Sequence, residues 1–459
     1  MPLFAVFMVS PAVFADSAYT WVNRTTGITS MSGQLWTGIA SNSTGQYLAA
    51  ANASAYGSGD IWTSSDYGST WTDISVTDTA TANQPWQNIT SNASGQYLAA
   101  LTGGNDIWTS SNYGVTWTDD SLTDTATAAQ QWYSITSNAS GQYLAAVAIG
   151  GDIWTSSNYG ATWTDDSTTN LATSGLQWYQ IASSSSGKYL AAAATGSLWT
   201  SSDYGATWTN DSLTNTATAG LGWKDITSSS SGQYLAATVY GEGIWTSSDY
   251  GATWADRSIT DTAIAGLGWG PITSSSSGQY LAASTWGGDI WRSSDYGASW
   301  QDSTVSTTIG TQLWYGLASS STGQHLAAIN FFGDIYTADD PSLIPPSVPA
   351  FGATDPGSGA SGTLKVNSTA TSKTTLRTYT TEPTESEDAA LGTESVSAPL
   401  IMDATAKAGQ SSSHNPKKAP QPIGYSPSST LRTWWLVPVA LLLTVGFVWK
   451  EYRSKKLPH

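Results

Sequence analysis

From residue 19 to residue 340 the chain alternates short apolar runs with clusters of Ser, Thr, Asn, Asp and Gly, and the alternation recurs at a fixed period. In the copy that is easiest to follow, 132–137, 142–148, 152–157 and 161–165 read as four strands separated by turn residues. The second of these is apolar on both faces, with Tyr143, Ala145 and Val147 on one and Leu144, Ala146 and Ala148 on the other. A strand that is apolar on both sides needs a packing partner on each. This pattern predicts small sheets stacked against one another, with alanines where neighbours approach closely and Trp residues filling the wider part of each wedge.

The glycine of a Ser/Thr-Gly-Gln/Lys turn gives the period. It stands at Gly45, Gly95, Gly141, Gly187, Gly232, Gly278 and Gly323, at spacings of 50, 46, 46, 45, 46 and 45 residues. Such a length holds four strands and four turns, which suits a propeller blade and is too long for one coil of a β-helix. The expected fold is an all-β, seven-bladed β-propeller of four-stranded blades over residues 16–340. The last copy breaks off at Asp340-Pro341, and Tyr19-Thr20-Trp21-Val22-Asn23 matches the missing fourth strand. This N-terminal strand is expected to close the ring and remove its free edge.

Within each copy the turn between the third and fourth strands repeats a motif, as in Ser64-Ser65-Asp66-Tyr67-Gly68-Ser69-Thr70-Trp71. Asp203, Asp249 and Asp295 occupy the same position as Asp66, and Asn112 and Asn158 replace the Asp in two copies. The motif suits a tight hairpin in which the Asp or Asn accepts bonds from turn amides, Gly takes the positive-φ position and the Trp folds back over the turn. The string resembles the Asp box (BNR repeat) of the sialidase and sortilin type of β-propeller, and the resemblance covers about 70 % of the chain. It implies the fold, a structural role for all six boxes and a ligand face on the side away from them. Similar repeats occur in photosystem II assembly factors, a likeness at the level of fold.

The flanking segments have a different composition. Residues 1–15 form an apolar run ending in Val13-Phe14-Ala15, which fits a signal peptide although no base precedes it. Residues 341–432 are rich in Ser, Thr, Pro, Gly and Ala and read as a disordered stalk. Residues 433–449 hold an uncharged run bounded by tryptophans, roughly 24 Å long as a helix, and 450–459 carry Lys450, Arg453, Lys455 and Lys456. A transmembrane helix with a basic cytoplasmic tail follows, and with it a single-pass type I membrane protein whose propeller is extracellular or lumenal.

Residues 16–340 contain 25 acids and 5 bases, a formal charge of −20 that disfavours nucleic acid and anionic lipid. The chain has no Cys and three scattered His, so the sequence gives no cofactor and no metal centre. Asp60, Asp106, Asp152, Asp289 and Asp334 open third strands and could form a carboxylate ring for calcium, or each could cap its own turn. A sialidase needs an arginine cluster, a Tyr/Glu nucleophile pair and an acid Asp, but the propeller has three arginines, none in an Arg-Ile-Pro motif, and Glu242 is its only glutamate. A non-catalytic recognition or scaffold module for a glycan or protein ligand is therefore expected. The alternatives are a glycoside hydrolase, in which Glu242 would face a second carboxylate, and a purely structural coat protein.

Strand parity puts the second-to-third turns on the face opposite the boxes, and it is there that the copies differ. Tyr56, Tyr240, Trp286, Phe331 and Phe332 are the aromatic candidates for ligand contact, with Glu242 beside Tyr240. Asn42, Asn92, Asn138 and Asn210 lie in Asn-x-Ser/Thr sequons and are candidates for glycosylation, the first three on the box face.

Overall fold

The computed structural model describes residues 20–340 except positions 29, 54–58, 104–105, 125–126, 128–129, 167–169, 305–308 and 310–311. The segments read above as signal peptide, stalk, membrane span and basic tail, and Tyr56, lie outside the described residues. No helix among the described residues is long and apolar enough to cross a membrane.

The fold is all-β and propeller-like, and each of the first six repeats pairs its four strands antiparallel in sequence order. In the third repeat the strands are Trp132–Ser137, Leu144–Gly151, Ile153–Ser156 and Thr164–Asp165. The fourth strand is shorter than its sequence suggests because residues up to Trp163 belong to the box turn. The last sheet takes Gln312–Ser319, His325–Asn330 and Ile335–Asp339 from the end of the propeller and Thr20–Asn23 from its beginning. Thr20 faces Asp339, Trp21 faces Ala338, Val22 faces Thr337 and Asn23 faces Tyr336. Trp21 is buried, its ring 6.2 Å from that of Trp314. At the strand's end and just after it, Asn23 Nδ2 and Thr25 Oγ1 donate to the two carboxylate oxygens of Asp334 at 2.9 and 2.5 Å.

The apolar cores lie between sheets. Ala99, Leu101 and Ile107 of one repeat pack with Trp132, Ile135, Leu144, Ala146, Ala148, Trp154 and Trp163 of the next, as the two-faced second strand requires. The first-strand tryptophans (Trp36, Trp86, Trp132, Trp178, Trp223, Trp269 and Trp314) are at most 3 % exposed. Replacing any of them by Ala is therefore expected to cost about 3–5 kcal/mol.

At the turns between first and second strands the repeats are joined by main-chain bonds. Ser43 N–H donates to the Ala93 carbonyl, Ala93 to Ala139, Ala139 to Ser185, Ser185 to Ser230, Ser230 to Ser276, Ser276 to Ser321, and Ser321 back to Ser43, all at 2.8–3.0 Å. The glycine of the period permits this approach. A Cβ on Gly95, whose φ is +83°, would lie 2.8 Å from Tyr47 Cβ in the preceding repeat.

The boxes form the expected hairpins. Asp66 Oδ1 accepts from Thr70 N at 2.8 Å and Ser64 Oγ at 2.9 Å, and its Oδ2 accepts from Thr70 Oγ1 at 2.7 Å. Asp203, Asp249 and Asp295 repeat the set with Thr207, Thr253 and Ser299. Asn112 and Asn158 accept the same amide through Oδ1 and donate through Nδ2 to Thr116 and Thr162. The box tryptophan folds back, Trp117 Nε1 donating to the Gly114 carbonyl at 2.9 Å.

One feature of the turn differs from the sequence reading: the Tyr before the Gly also has positive φ, +60° at Tyr67 and 60–64° at its five counterparts. That conformation disfavours a residue with a Cβ. Each ring stacks on the preceding repeat in return, Tyr113 on Tyr47, Tyr159 on Tyr97, Tyr204 on Tyr143, Tyr250 on Tyr189 and Tyr296 on Tyr234 at 4.6–4.9 Å. Tyr67 stacks on His325 at 4.7 Å.

Asn42, Asn92 and Asn138, the sequon residues on the box face, sit in the seam between repeats. All three are 4–5 % exposed, each Oδ1 accepts the amide five residues on, and each Nδ2 donates to a carbonyl of the next repeat at 3.2–3.4 Å. A glycan on that nitrogen would replace one of its hydrogens within a closed seam. The later repeats carry Ser184, Ser229, Ser275 and Ser320 here, whose hydroxyls accept the same amide. Asn210 is half-buried, and its Oδ1 caps the following turn by accepting from Ser212 N at 3.0 Å.

Candidate binding site at the axial mouth

Each first strand packs against the first strand of the next repeat, and that of the last repeat against that of the first. These strands share an irregularity, for their register with the second strand slips immediately after the opening tryptophan. A β-bulge re-aims the extra side chain. The residues at the slip are Thr37, Gln87, Tyr133, Tyr179, Lys224, Gly270 and Tyr315. Sequence reasoning passed over them because a bulge breaks the alternation by which faces are assigned. The available signal was variability just after an otherwise constant Trp.

Three of these side chains meet. Tyr133 and Tyr315, from the third and seventh repeats, lie close enough for each phenol to bear on the other, and Gln87 stands beside Tyr315. The Tyr315 phenol beside it, and burial, push the Tyr133 hydroxyl above its usual range; burial does the same to Tyr315. Tyr179 packs edge-on to Tyr133 at 5.9 Å. Beneath them Asp225 is 9 % exposed; its Oδ1 accepts from Ile226 N at 2.7 Å and its Oδ2 from Ile272 N at 2.9 Å. Burial pushes its carboxyl up to about 7 despite these bonds.

Around this centre stand most of the aromatic candidates. Phe331 lies on Tyr315 at 4.9 Å, Phe332 on Phe331 at 4.6 Å, and Trp286 edge-on to Tyr315 at 6.0 Å. Tyr240 holds the rim through Tyr240 N–H to the Gly222 carbonyl at 3.1 Å. Tyr240 is 53 % and Phe332 57 % exposed, whereas Trp286 and Phe331 are half-buried. Trp286 does not stand in a free turn: its strand, Leu281–Gly288, runs on to pair with the next repeat, Trp286 opposite Leu313. Lys224 places its Nζ 5.5 Å from the Tyr179 ring centre and 5.6 Å from that of Tyr240.

Glu242 is exposed in the turn after Tyr240, where its main chain bonds to Val239 and Gly266. Of the acids that open third strands, Asp106, Asp289 and Asp334 serve their own hairpins or the closing strand. Thr102 N–H donates to the Asp106 carbonyl, Thr304 Oγ1 donates to Asp289 Oδ1, and Asp334 takes Asn23 and Thr25. No group of three or more His, Asp or Glu that could hold a metal comes together among the described residues. Arg24 and Arg257 donate through Nε to Thr337 and Thr246, and Arg292 pairs with Asp340 at 3.2 Å, so these bases tie strand ends together. The assembled site offers stacking surfaces, phenol hydroxyls and one ammonium, which is chemistry for holding a ligand.

A family model described as BNR-Asp box repeat matches residues 61–74 and 290–303. No curated protein sequence matches the chain. Among solved structures, YCF48 from Cyanidioschyzon merolae is similar with 14 % identity and a TM-score of 0.50, over 71 % of this chain and 99 % of that one. A YCF48 structure bound to a D1 peptide is similar with 11 % identity and a TM-score of 0.52, over 71 % and 98 %. The GH74 xyloglucanase from Xanthomonas campestris is similar with 16 % identity and a TM-score of 0.51, over 70 % of this chain and 54 % of that enzyme, so this chain spans about half of the enzyme's length. The chain therefore carries BNR-Asp box repeats on an all-β, propeller-like fold.

Proposed function

We propose that the chain is a non-catalytic recognition module: a closed, seven-bladed propeller held outside the membrane by a Ser/Thr/Pro-rich stalk and a carboxy-terminal helix, taking a protein ligand at the axial mouth. The observation that carries this reading is the aromatic cluster, in which Tyr240 and Phe332 remain more than half exposed beside Tyr133, Tyr179, Trp286, Tyr315 and Phe331. Clustered rings that stay exposed on a surface mark contact residues more often than packing residues. That a protein of similar fold, YCF48, has been seen with a D1 peptide supports a polypeptide segment as the ligand class.

The test uses the full chain in detergent as bait for cell-surface proteins, with a glycan array in parallel. Tyr240→Ala combined with Phe332→Ala is expected to abolish capture and to leave the melting temperature within a few degrees, because both rings are exposed. Capture that survives the double variant refutes the mouth as the site. Binding confined to the glycan array makes the ligand a sugar.

A further inference from the structure

The mouth is lined by phenols and phenyl rings and contains one cation, the Lys224 ammonium, which lies within 6 Å of the Tyr179 and Tyr240 rings. That distance is where an ammonium is attracted by the ring quadrupole. The chain around it is strongly acidic, with a formal charge of −20 over residues 16–340. Three of the other four bases in that span, Arg24, Arg257 and Arg292, are held at strand ends by Thr337, Thr246 and Asp340. Lys188 lies on the box side, over the Tyr189 ring at 5.1 Å. Two further acids stand at the mouth, Glu242 exposed two residues beyond Tyr240 and Asp225 beneath the tyrosines.

We infer that the mouth accepts a cationic side chain of its protein ligand, a lysine or arginine, between Tyr179 and Tyr240, and that Lys224 occupies this place in the free protein as an intramolecular surrogate. The inference rests on the mouth being the ligand site. Charge supplies the direction: a field of −20 draws a basic segment towards the surface and repels an acidic one, and the ring pair already holds an ammonium. Lys224 is exposed on a flexible stem, so an incoming cation displaces it into water at little cost. It is thus a self-competing contact that lowers the apparent affinity for a basic ligand.

The probes are four Gly/Ser peptides identical but for a central Lys, trimethyl-Lys, Gln or Glu, titrated into the full chain in detergent and followed by tryptophan fluorescence and calorimetry. The Lys and trimethyl-Lys peptides are expected to bind and the Gln and Glu peptides not. Lys224→Gln is expected to tighten the Lys peptide by about twofold to fivefold, the scale of one exposed cation–π contact, and Tyr240→Ala to abolish it. A preference for the Glu peptide that is lost on Lys224→Gln overturns the inference, because Lys224 would then be an anchor for carboxylates. Equal binding of all four peptides, sensitive to Tyr240→Ala, overturns the charge preference and keeps the mouth. No binding by any of the four, with capture of the protein ligand indifferent to Tyr240→Ala, overturns both.

Discussion

Asp120, Asp166 and Asp211 occupy one position, the residue after the fourth strand, in three successive repeats, and are 3–4 % exposed. Each Oδ1 accepts from a third-strand threonine, Thr109 at 3.1 Å, Thr155 at 2.9 Å and Thr200 at 2.8 Å. Each Oδ2 points at the box glycine of the next repeat, 2.4–2.6 Å from where a Cβ would stand on Gly160, Gly205 or Gly251. Burial pushes all three carboxyls up to about 7, against 3.8 for a free side chain. The unfolded chain therefore gives up these protons near pH 4 while the folded chain keeps them until about pH 7. Stability falls as pH rises between those values and levels off above. A difference of about 3 units converts to about 4 kcal/mol per site. Three such terms would equal the whole stability of an ordinary domain, about 5–15 kcal/mol, so side-chain movement and water entry must reduce each, and about 1–2 kcal/mol per site is expected. The first repeat provides the control, since Ile74 fills the same position at 4 % exposure, packed with Trp117. Asp120→Ile should raise the calorimetric melting temperature more at pH 8 than at pH 4.5. An equal shift at both pH values, or a decrease at pH 8, would refute buried ionisation as the cause.

The box acids act in the opposite direction. Burial works to raise Asp66, Asp203, Asp249 and Asp295, but their hydroxyl and amide donors outweigh it and hold all four below the usual carboxylate range, so their contribution is present above pH 4 and is lost as pH falls further; melting scans should therefore peak between about pH 4 and 5. Trp21→Ala should destabilise the fold by about 3–5 kcal/mol, and an unchanged melting curve would show that Thr20–Asn23 does not secure the last sheet. Glycopeptide mass spectrometry of the chain from a glycosylating host should find Asn42, Asn92 and Asn138 unmodified; Asn138→Ser should melt close to wild type, as Ser184 fills the same place, while Asn138→Ala should cost about 1–3 kcal/mol. A fluorogenic glycoside panel that includes a sialoside should show no turnover, and turnover lost on Glu242→Gln would overturn the non-catalytic reading.

The repeat period, the two-faced second strand and the box hairpins were legible because each follows from local chemistry: alternation, alanine content and turn residues. The sequence also pointed to Tyr240, Trp286, Phe331 and Phe332, since parity alone separates the two faces. Tyr133, Tyr179 and Tyr315 were not legible because the bulge after the opening Trp turns them out of the expected alternation. The structural role of the sequon asparagines was hidden for a different reason. Asn-x-Ser describes an acceptor for sugar as well as a side chain that closes its own turn and reaches the next sheet, and only burial distinguishes the two. Asp78, Asp124 and Asp261 were missed likewise: each carboxylate accepts the main-chain N–H of the box Trp 39 residues on, a span that no local rule reads.

The amide cycle that starts at Ser43 and returns through Ser321 has no first or last member, since every unit donates forward and accepts from behind. Near-identical modules about 45 residues long invite misaligned recombination, which adds or removes a whole module without damaging any single one. Such an offspring would keep every hairpin and every core pair, yet each step of the cycle would have to turn through a different angle for Ser321, or its replacement, to reach Ser43. Folding into a closed cycle therefore constrains the number of modules as well as their residues, whereas a single box tolerates Asn for Asp, as at Asn112 and Asn158.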